Sequence, residues 1–333
     1  MISVFKRVRA TVRAAVCMLA TALAFGAGPS AHAQSYPTKP IRFVVCFPAG
    51  GTLDQIARRV QPLLQKELGQ TIIVENKGGA SGSIGTAAVA QAPADGYTIL
   101  MVFDTHAVNP TLIQGLSYDT LKDFAPVMKI GWSPMLLGVH AAQPYRTFAD
   151  LVAATKSKPG TVPYGTVGQG SLAHLAMSQI ANELSIDWTH VPYKGGGPLM
   201  NDATAGQVPV AIASLASIGP HVKSGKLRGL AVTSPARHKQ FPDTPTVAEL
   251  GIPGFSANAW WGIVVPAKTP PEIIQRLNQA FTIALKDPGV TETLVETAGI
   301  VYELSSPEDF GKFLETEIVR WAKVVKDNKI VPE

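Results

Sequence analysis

Apolar residues recur at two different spacings from Ile41 onward, and the change between them predicts strands that alternate with helices. Short runs rich in β-branched residues are almost continuously apolar, as in strands that are covered on both faces. The longer runs between them repeat their apolar residues every three or four positions, which is typical of helices. The first predicted elements are strands 41–46, 71–75 and 97–102, with helices 54–68 and 83–91 between them.

The strand–helix–strand order predicts a parallel sheet with right-handed crossovers. A second series of the same kind begins after residues 135–139, an apolar run that we expect to cross between two lobes. Its predicted helices are 147–156, 171–184 and 198–205, and its strands are 161–164, 188–192, 209–213 and 227–233. Residues 258–265 are predicted to return as a strand, and helices 271–286 and 307–326 to pack on the first lobe. The expected fold class is therefore α/β with two lobes, residues 34–135 plus 256–333 and residues 136–255.

The N-terminus has the pattern of a secretory signal peptide. Four cations within the first 13 residues precede the uncharged stretch 14–26 and the small-x-small triplet Ala31-His32-Ala33. The apolar stretch is too short to span a bilayer, and Cys17 lies inside it rather than at the cleavage point of a lipoprotein. We expect cleavage after Ala33 and a mature protein that is free in the periplasm.

The mature chain of 300 residues has the length of two ordinary domains. The formal charge of the whole sequence is +5, and loss of the four signal cations leaves about +1, which argues against nucleic acid as a partner. The single remaining cysteine, Cys46, lies in an apolar run and is interpreted as a small buried hydrophobic residue. Because the histidines are scattered, the sequence predicts neither a metal site nor a cofactor.

The strongest local signal is the loop Phe47-Pro48-Ala49-Gly50-Gly51-Thr52-Leu53-Asp54, between the first strand and the first helix. Glycine permits tight backbone turns, and the N-terminus of a helix offers unpaired N–H groups to an anion. Asp54 has a position from which it caps that helix. The pattern fits a ligand loop and a purely structural turn equally well.

A second loop of the same kind is Tyr164-Gly165-Thr166-Val167-Gly168-Gln169-Gly170-Ser171, in the second predicted lobe. Backbone N–H groups and the hydroxyls of Thr166 and Ser171 suit a carboxylate, and neither loop contains Arg or Lys. Two such loops in two lobes predict a cleft. His174, one turn along the following helix, is interpreted as a packed residue in preference to a catalytic one.

Two further segments are candidates for the rim of the pocket. Thr105, His106 and Asn109 follow the third strand, at the carboxyl edge where open α/β sheets bind ligands, although local hydrogen bonding in a turn explains them as well. Lys194 precedes three glycines and is suited to a second ligand charge, or to a purely solvated position. The adjacent Trp260 and Trp261 should point to opposite faces of a strand, and the pattern does not say which one faces the cleft.

The sequence lacks the motifs of dinucleotide-binding proteins, serine hydrolases and zinc proteases. Residues 79–85 follow a strand and are rich in glycine, but their spacing is not the G-x-G-x-x-G of dinucleotide loops. There is no G-x-S-x-G nucleophile elbow and no H-E-x-x-H zinc motif. An exported enzyme that acts on acyl or ester substrates would need an ordered nucleophile and base, which the sequence does not show. We therefore expect no catalysis.

The whole mature chain resembles the Bug family of extracytoplasmic receptors that serve tripartite tricarboxylate transporters. The resemblance is carried by ordered blocks: 36–41, 47–51 with Asp54, 74–76, 95–97, 106–110, 190–195, 225–228 and 242–249. It implies a type II periplasmic binding protein fold, two lobes with a hinged cleft, which binds a carboxylate and delivers it to membrane permease subunits. The mature protein is then expected to be a monomer.

The resemblance also implies which residues hold the ligand. Both loops found above carry the family's carboxylate contacts, and Cys46, Leu53 and Ala213-Ser214 depart from its usual residues. The predicted ligand contacts are Phe47, Pro48, Ala49, Gly50, Gly51, Thr52, Asp54, Thr105, His106, Thr166, Gly168, Gln169, Gly170, Ser171, Lys194, Ala213 and Ser214. The ligand itself stays open among a dicarboxylate, a tricarboxylate, an aromatic acid and an amino acid, and a sensory partner stays open beside a permease.

Overall fold

The computed structural model describes residues 36–327 and residue 330. The predicted signal peptide, residues 1–33, lies outside these ranges. From Lys39 onward the described residues belong to one compact unit, and the described part of the unit before it, residues 36–38, contains neither helix nor strand. Among the helices described, none has the length and apolar character needed to cross a membrane.

Strands and helices alternate as the hydrophobic pattern predicts. The strands are β1 Ile41–Val45, β2 Ile72–Asn76, β3 Thr98–Phe103, β4 Phe124–His140, β5 Pro163–Thr166, β6 Thr189–Pro192, β7 Val210–Ser214, β8 Leu227–Val232, β9 Asn258–Pro266 and β10 Val301–Tyr302. The α-helices are α1 Thr52–Leu68, α2 Ser83–Ala90, α3 Thr105–Leu112, α4 Phe148–Ser157, α5 Leu172–Leu184, α6 Gly196–Thr204, α7 Leu215–Lys223, α8 Pro271–Leu285, α9 Pro288–Thr291 and α10 Pro307–Asp327.

The strands follow the order β2-β1-β3-β9-β4-β7-β5-β6, with β8 and β10 also paired to β4. The predicted parallel pairing of the first three strands is confirmed, because β1 lies between β2 and β3 and runs parallel to both. The second series repeats this arrangement, with β5 between β6 and β7. The antiparallel strands β4 and β9 join the two parallel groups and make the architecture mixed.

Strand β4 is 17 residues long and belongs to both halves of this arrangement. Its residues 124–134 pair with β9, and residues 135–140 pair with β7 and β8. We call β1, β2, β3, β9 and the first part of β4 the first sheet, and β5 to β8 with the rest of β4 the second sheet. The chain thus passes from the first sheet to the second between Pro134 and Met135 and returns to the first at β9, while a crossing between two lobes stays a prediction. The exact lobe boundaries stay a prediction, since the described residues after Thr38 form one unit.

Helices α3 and α7 were not predicted, because each contains a proline. In α3, Pro110 has no N–H group to donate to the carbonyl of His106, and the hydroxyl of Thr120 donates to that carbonyl instead at 3.3 Å. In α7, Gly219 lets the helix approach Phe241, whose ring atoms would lie 3.3 Å from a Cβ at that position. Tertiary contacts therefore compensate for weak helix formers.

The two tryptophans point to opposite faces of β9, as the alternation predicts. The Trp260 ring packs against Phe310 and Phe313 of α10, with ring centroids 5.8 and 5.3 Å away. The Trp261 ring lies 5.9 Å from that of Phe103, at the end of β3. Both indoles are buried, so the aromatic core extends through β9 from α10 to the end of the first sheet.

Candidate ligand-binding cleft

The loops at the carboxyl ends of the two parallel groups face each other. In each group the chain crosses over its central strand, β1 or β5, and ligands of open α/β sheets bind in the crevice that such a crossing leaves. The hydroxyl oxygens of Thr52 and Ser214 lie 3.2 Å apart across the cleft. Ser81 also donates to the backbone carbonyl of Gln169. The two rims are therefore in direct contact.

Two neighbouring cavities lie between these loops. The larger has a volume of about 180 Å³ and is lined by Phe47, Gly79, Ala80, Ser81, Gly82, Val167, Gly168, Gln169, Pro192, Tyr193 and Lys194. The smaller has about 30 Å³ and is lined by Phe47, Pro48, Gly51, Thr52, Leu53, Phe103, Val167, Gly196, Ser214 and Ser217. Because Phe47 and Val167 line both, the cavities form one cleft with two compartments.

Three helix N-termini converge on the smaller cavity. Helices α1, α6 and α7 begin beside Gly51, Gly196 and Ser214, and within the described residues none of them has a side-chain cap. The first amides of a helix have no intrahelical acceptor and carry a partial positive charge. The glycines bring these ends together, since a Cβ on Gly51 would lie 3.9 Å from the amide nitrogen of Gly196. The smaller cavity thus has the electrostatics of an anion site.

The predicted residues of the first loop divide into two groups. Phe47, Pro48, Gly51 and Thr52 line the cleft, and so does Leu53, whose role the sequence left open. The other three do not line either cavity. Ala49 and Gly50 are exposed, and the carboxylate of Asp54 turns back to accept the amide of Gly50 at 3.0 Å.

In the second loop, the two residues with hydroxyl side chains do not line either cavity. Gly168 and Gln169 line the larger cavity. Thr166 and Ser171 are buried and use their hydroxyls within the loop, where both donate to the carbonyl of Gly168, at 3.0 and 2.7 Å. Gly170 packs on Leu112 of α3, whose Cδ1 would lie 2.8 Å from an added Cβ. Thr166, Gly170 and Ser171 therefore stabilise the conformation of the loop without lining either cavity.

Two stacked histidines support the second loop. The rings of His174 and His190 lie 3.9 Å apart and are nearly parallel. The Gly170 amide donates to His174 Nδ1 at 3.2 Å, and His190 Nε2 lies 2.7 Å from the Thr166 hydroxyl. Burial lowers the pKa of His174 to about 4, and burial together with His174 lowers the pKa of His190 to about 3. Both are neutral at pH 7, so His174 is the packed residue that the sequence favours.

The segment after β3 supports the cleft without lining either cavity. His106 is buried beside Tyr118 and Phe124, and within the described residues neither of its ring nitrogens has a hydrogen-bond partner. Burial lowers the pKa of His106 to about 3. Thr105 is buried as well. Asn109 donates to the carbonyl of Ser81 at 3.1 Å and so holds the turn that does line the cavity.

The sequence missed the turn Gly79 to Gly82, which closes the larger cavity from the first sheet. This turn follows the carboxyl end of β2, which pairs with β1, and that position could have identified it as part of the site. The φ angles of Gly79 and Gly82 are +129° and +88°, which explains the glycines without a dinucleotide. Phe103, Gly196 and Ser217 were also missed. Ala213 is buried in β7 and lines neither cavity.

Lys194 is the only charged side chain that lines either cavity in the part of the chain described. It is exposed, and its ammonium group forms no ion pair with another described residue. Cys46 is buried and donates its thiol to the carbonyl of Met101 at 3.2 Å, consistent with the predicted structural role. No group of three or more potential metal ligands occurs among the residues that the structure describes.

Comparison with known proteins identifies the family and the fold. A sequence model described as tripartite tricarboxylate transporter family receptor matches residues 56–330. Protein BugT of Bordetella pertussis is 36% identical over 304 residues, which cover 91% of this chain and 93% of BugT. The structure of Rpa4515 of R. palustris with adipate is 35% identical, has a TM-score of 0.85 and is matched over 90% of this chain and 100% of that one.

A second solved structure, MatC of Rhodopseudomonas palustris with bound malate, is 30% identical with a TM-score of 0.82, over 87% of this chain and all of that one. The expected α/β fold of periplasmic binding proteins is therefore confirmed. So is the expectation of a binding protein rather than an enzyme. By the extent of the family match and of its relatives, the chain belongs to the family of tripartite tricarboxylate transporter receptors.

Proposed function

We propose that this receptor closes its cleft around a small metabolite that carries a carboxylate and delivers it to the membrane subunits of a tripartite transporter. The observation that carries the proposal is the convergence of three uncapped helix N-termini, α1, α6 and α7, on one small cavity. Relatives of the same family have been solved with adipate and with malate, both of which are carboxylates.

Main-chain amides recognise the carboxylate in this proposal. Each helix N-terminus carries about half a positive charge, and together they favour an anion without a buried arginine. Gly51 and Gly196 leave room for the anion to approach the amides, and Thr52 and Ser214 add hydroxyl groups from opposite rims. A ligand that contacts both rims stabilises the closed state through its higher affinity for that state.

A carboxylate panel tests the function directly. Thermal shift followed by calorimetry, with mono-, di- and tricarboxylates, aromatic acids and amino acids, should find at least one acid that raises the melting temperature and binds with one-to-one stoichiometry. The matching amide or alcohol should not bind, because it lacks the charge. Failure of every acid in the panel would contradict the proposal.

Lys194 is proposed to hold a second negative group of the ligand in the larger cavity. Lys194→Met should therefore weaken a dicarboxylate about fivefold, as expected for loss of one partly solvated charge pair of roughly 1 kcal/mol. A monocarboxylate should bind almost unchanged, and added salt should reduce the difference. Lys226→Met, an exposed lysine that lines neither cavity, is the matched control. Equal losses for mono- and dicarboxylates would assign Lys194 to the solvated position.

The site of action follows from the family and from the N-terminus. The solved structures similar to this chain include a periplasmic binding protein and a periplasmic transporter. We infer that the chain is exported, that it is cleaved near Ala33 and that it acts as a periplasmic monomer. The membrane partner is inferred from the family alone, and a sensory receptor is the second candidate. Ligand uptake by cells that lack the gene, compared with uptake after complementation, distinguishes the two.

A further inference from the structure

The first loop is held by hydrogen bonds that leave its helix end free. Asn76 Nδ2 donates to the carbonyl of Phe47 at 3.1 Å, and Gln55 Nε2 donates to the carbonyl of Gly50, also at 3.1 Å. The Gly50 amide donates to Asp54 Oδ2 at 3.0 Å. These bonds occupy the polar groups before the helix, so the amides at the start of α1 stay available for a ligand.

Asp54 places a negative charge in the first turn of the same helix. Its side chain is only 7% exposed. An acidic group there favours the helix, because it interacts with the positive end of the helix dipole. For the same reason an uncompensated Asp54 would repel a ligand carboxylate at the smaller cavity, which the preceding residues Thr52 and Leu53 line.

Arg58 lies one turn further along α1 and compensates this charge. Its Nε donates to Asp54 Oδ1 at 2.9 Å, and its Nη2 donates to Asn76 Oδ1 at 3.0 Å. One guanidinium therefore fixes two of the three side chains that hold the loop. Its outer face stays about half exposed.

We propose that Arg58 is a positioning residue for ligand capture: it neutralises Asp54 and turns the Asp54 carboxylate onto the Gly50 amide, so that the N-terminus of α1 accepts the ligand's carboxylate. This inference rests on the proposed function and adds two residues that do not touch the ligand. Asp54, predicted as a ligand contact, acts through the loop instead.

The charged surroundings of Asp54 are simple. Burial acts to raise the pKa of Asp54, but the hydrogen bonds from Arg58 and Gly50 outweigh burial, so the pKa is lowered. The other charged groups on α1 are Arg59, Lys66 and Glu67. On the adjoining strands lies the pair of Arg42 with Glu75, whose charges are 2.9 Å apart, and Lys77 directly follows β2. Without Arg58, Asp54 has no other ion-pair partner among the described residues.

The test compares the affinities of three variants for malate and adipate. Arg58→Met should weaken binding at least tenfold at pH 7.5, because the charge of Asp54 is uncovered. The double variant Asp54→Asn/Arg58→Met lacks the Asp54 carboxylate that Arg58 neutralises in wild type. It should therefore bind within about threefold of wild type. Asp54→Asn alone should lose less affinity than Arg58→Met, since the asparagine oxygen can still accept the Gly50 amide and no negative charge is left without a partner.

The pH dependence separates charge from structure. In Arg58→Met, Asp54 loses the hydrogen bond and the charge of Arg58, both of which lower its pKa, so it protonates at a higher pH than in wild type as the pH is lowered. The ratio of mutant to wild-type Kd should therefore fall towards one, while titration of the ligand itself cancels in the ratio. A loss that stays constant with pH, or an equal loss in the double variant, would show that Arg58 acts only as a packing residue and would overturn the proposal.

A measurement without ligand keeps the proposal separate from the proposed function. If wild type binds neither malate nor adipate nor any acid of the panel, the proposed function fails. The pairing is then judged by ¹³C titration of the Asp54 carboxyl group, assigned by its loss in Asp54→Asn. The Asp54 pKa must rise in Arg58→Met, and an unchanged pKa would overturn the pairing.

Discussion

Ser214→Asp should abolish carboxylate binding, weakening it at least a hundredfold, while the protein stays folded. Ser214 is the N-cap of α7, and it faces the cavity on which α1 and α6 also converge. An aspartate there supplies the helix with a good cap and places its own carboxylate where we propose the ligand's carboxylate binds. The variant thus contains an internal competitor, and repulsion between two anions in a closed cavity is strong. Calorimetry and a thermal melt measure the two effects.

Ser214→Asn is the matched control. Asparagine has nearly the same shape as aspartate and caps helices equally well, but it carries no charge. It should therefore retain binding within about tenfold of wild type. If Ser214→Asp and Ser214→Asn bind the acid equally well, the ligand's negative group does not lie at this cavity. If both lose binding equally, crowding rather than charge is responsible.

The free energy of unfolding should fall steeply as the pH drops from 6.5 towards 4. The pKa values of His106 and His190 are lowered to about 3, and that of His174 to about 4, chiefly by burial. In the unfolded chain each titrates near pH 6.5, so the unfolded state binds more protons in this range. Above about pH 7 the three neutral histidines do not reduce the free energy of unfolding. Below pH 6.5 each one lowers the free energy of unfolding by about 1.4 kcal/mol per pH unit, until the pH reaches its folded pKa.

His106→Phe isolates one of these groups. Phenylalanine suits the site beside Tyr118 and Phe124, and it removes two buried ring nitrogens that have no described partner. Urea unfolding should show similar or greater stability at pH 7.5 and a pH slope that is smaller by about 1.4 kcal/mol per unit. Taking the difference from wild type cancels Asp104, whose buried carboxyl has a raised pKa and acts in the opposite direction. An unchanged slope would mean that His106 is not kept neutral by burial.

The sequence predicts the frame of this protein well because hydrophobic spacing follows burial directly. Strands β1 to β3 and β9, and helices α8 and α10, lie within a few residues of their predicted positions. The first part of β4, residues 124–134, was missed, because a strand with Pro126 and Pro134 carries a poor strand signal. Its two register shifts beside β9 show how the chain accommodates such residues.

The candidate site was predictable only in part, because backbone geometry leaves a clear trace in the sequence and side-chain direction does not. Glycines mark both loops and the turn at Gly79, although that turn was set aside with the dinucleotide motif. Nothing in the pattern shows that the hydroxyls of Thr166 and Ser171 turn inward, or that His106 packs in the core. The hydroxyls turn to a carbonyl within their own loop, and His106 packs on Tyr118 and Phe124, which lie further along the chain.

The place of β9 constrains the order in which the protein can assemble. This strand is made late, yet it lies between β3 and β4, which are made much earlier. Until residues 258–266 are available, the edges of β3 and β4 that later pair with β9 stay open, and open edges invite pairing with other chains. A fragment that ends before Asn258 should therefore aggregate rather than form half a receptor. During synthesis, these edges of β3 and β4 therefore have no partner strand until about four fifths of the chain has been made.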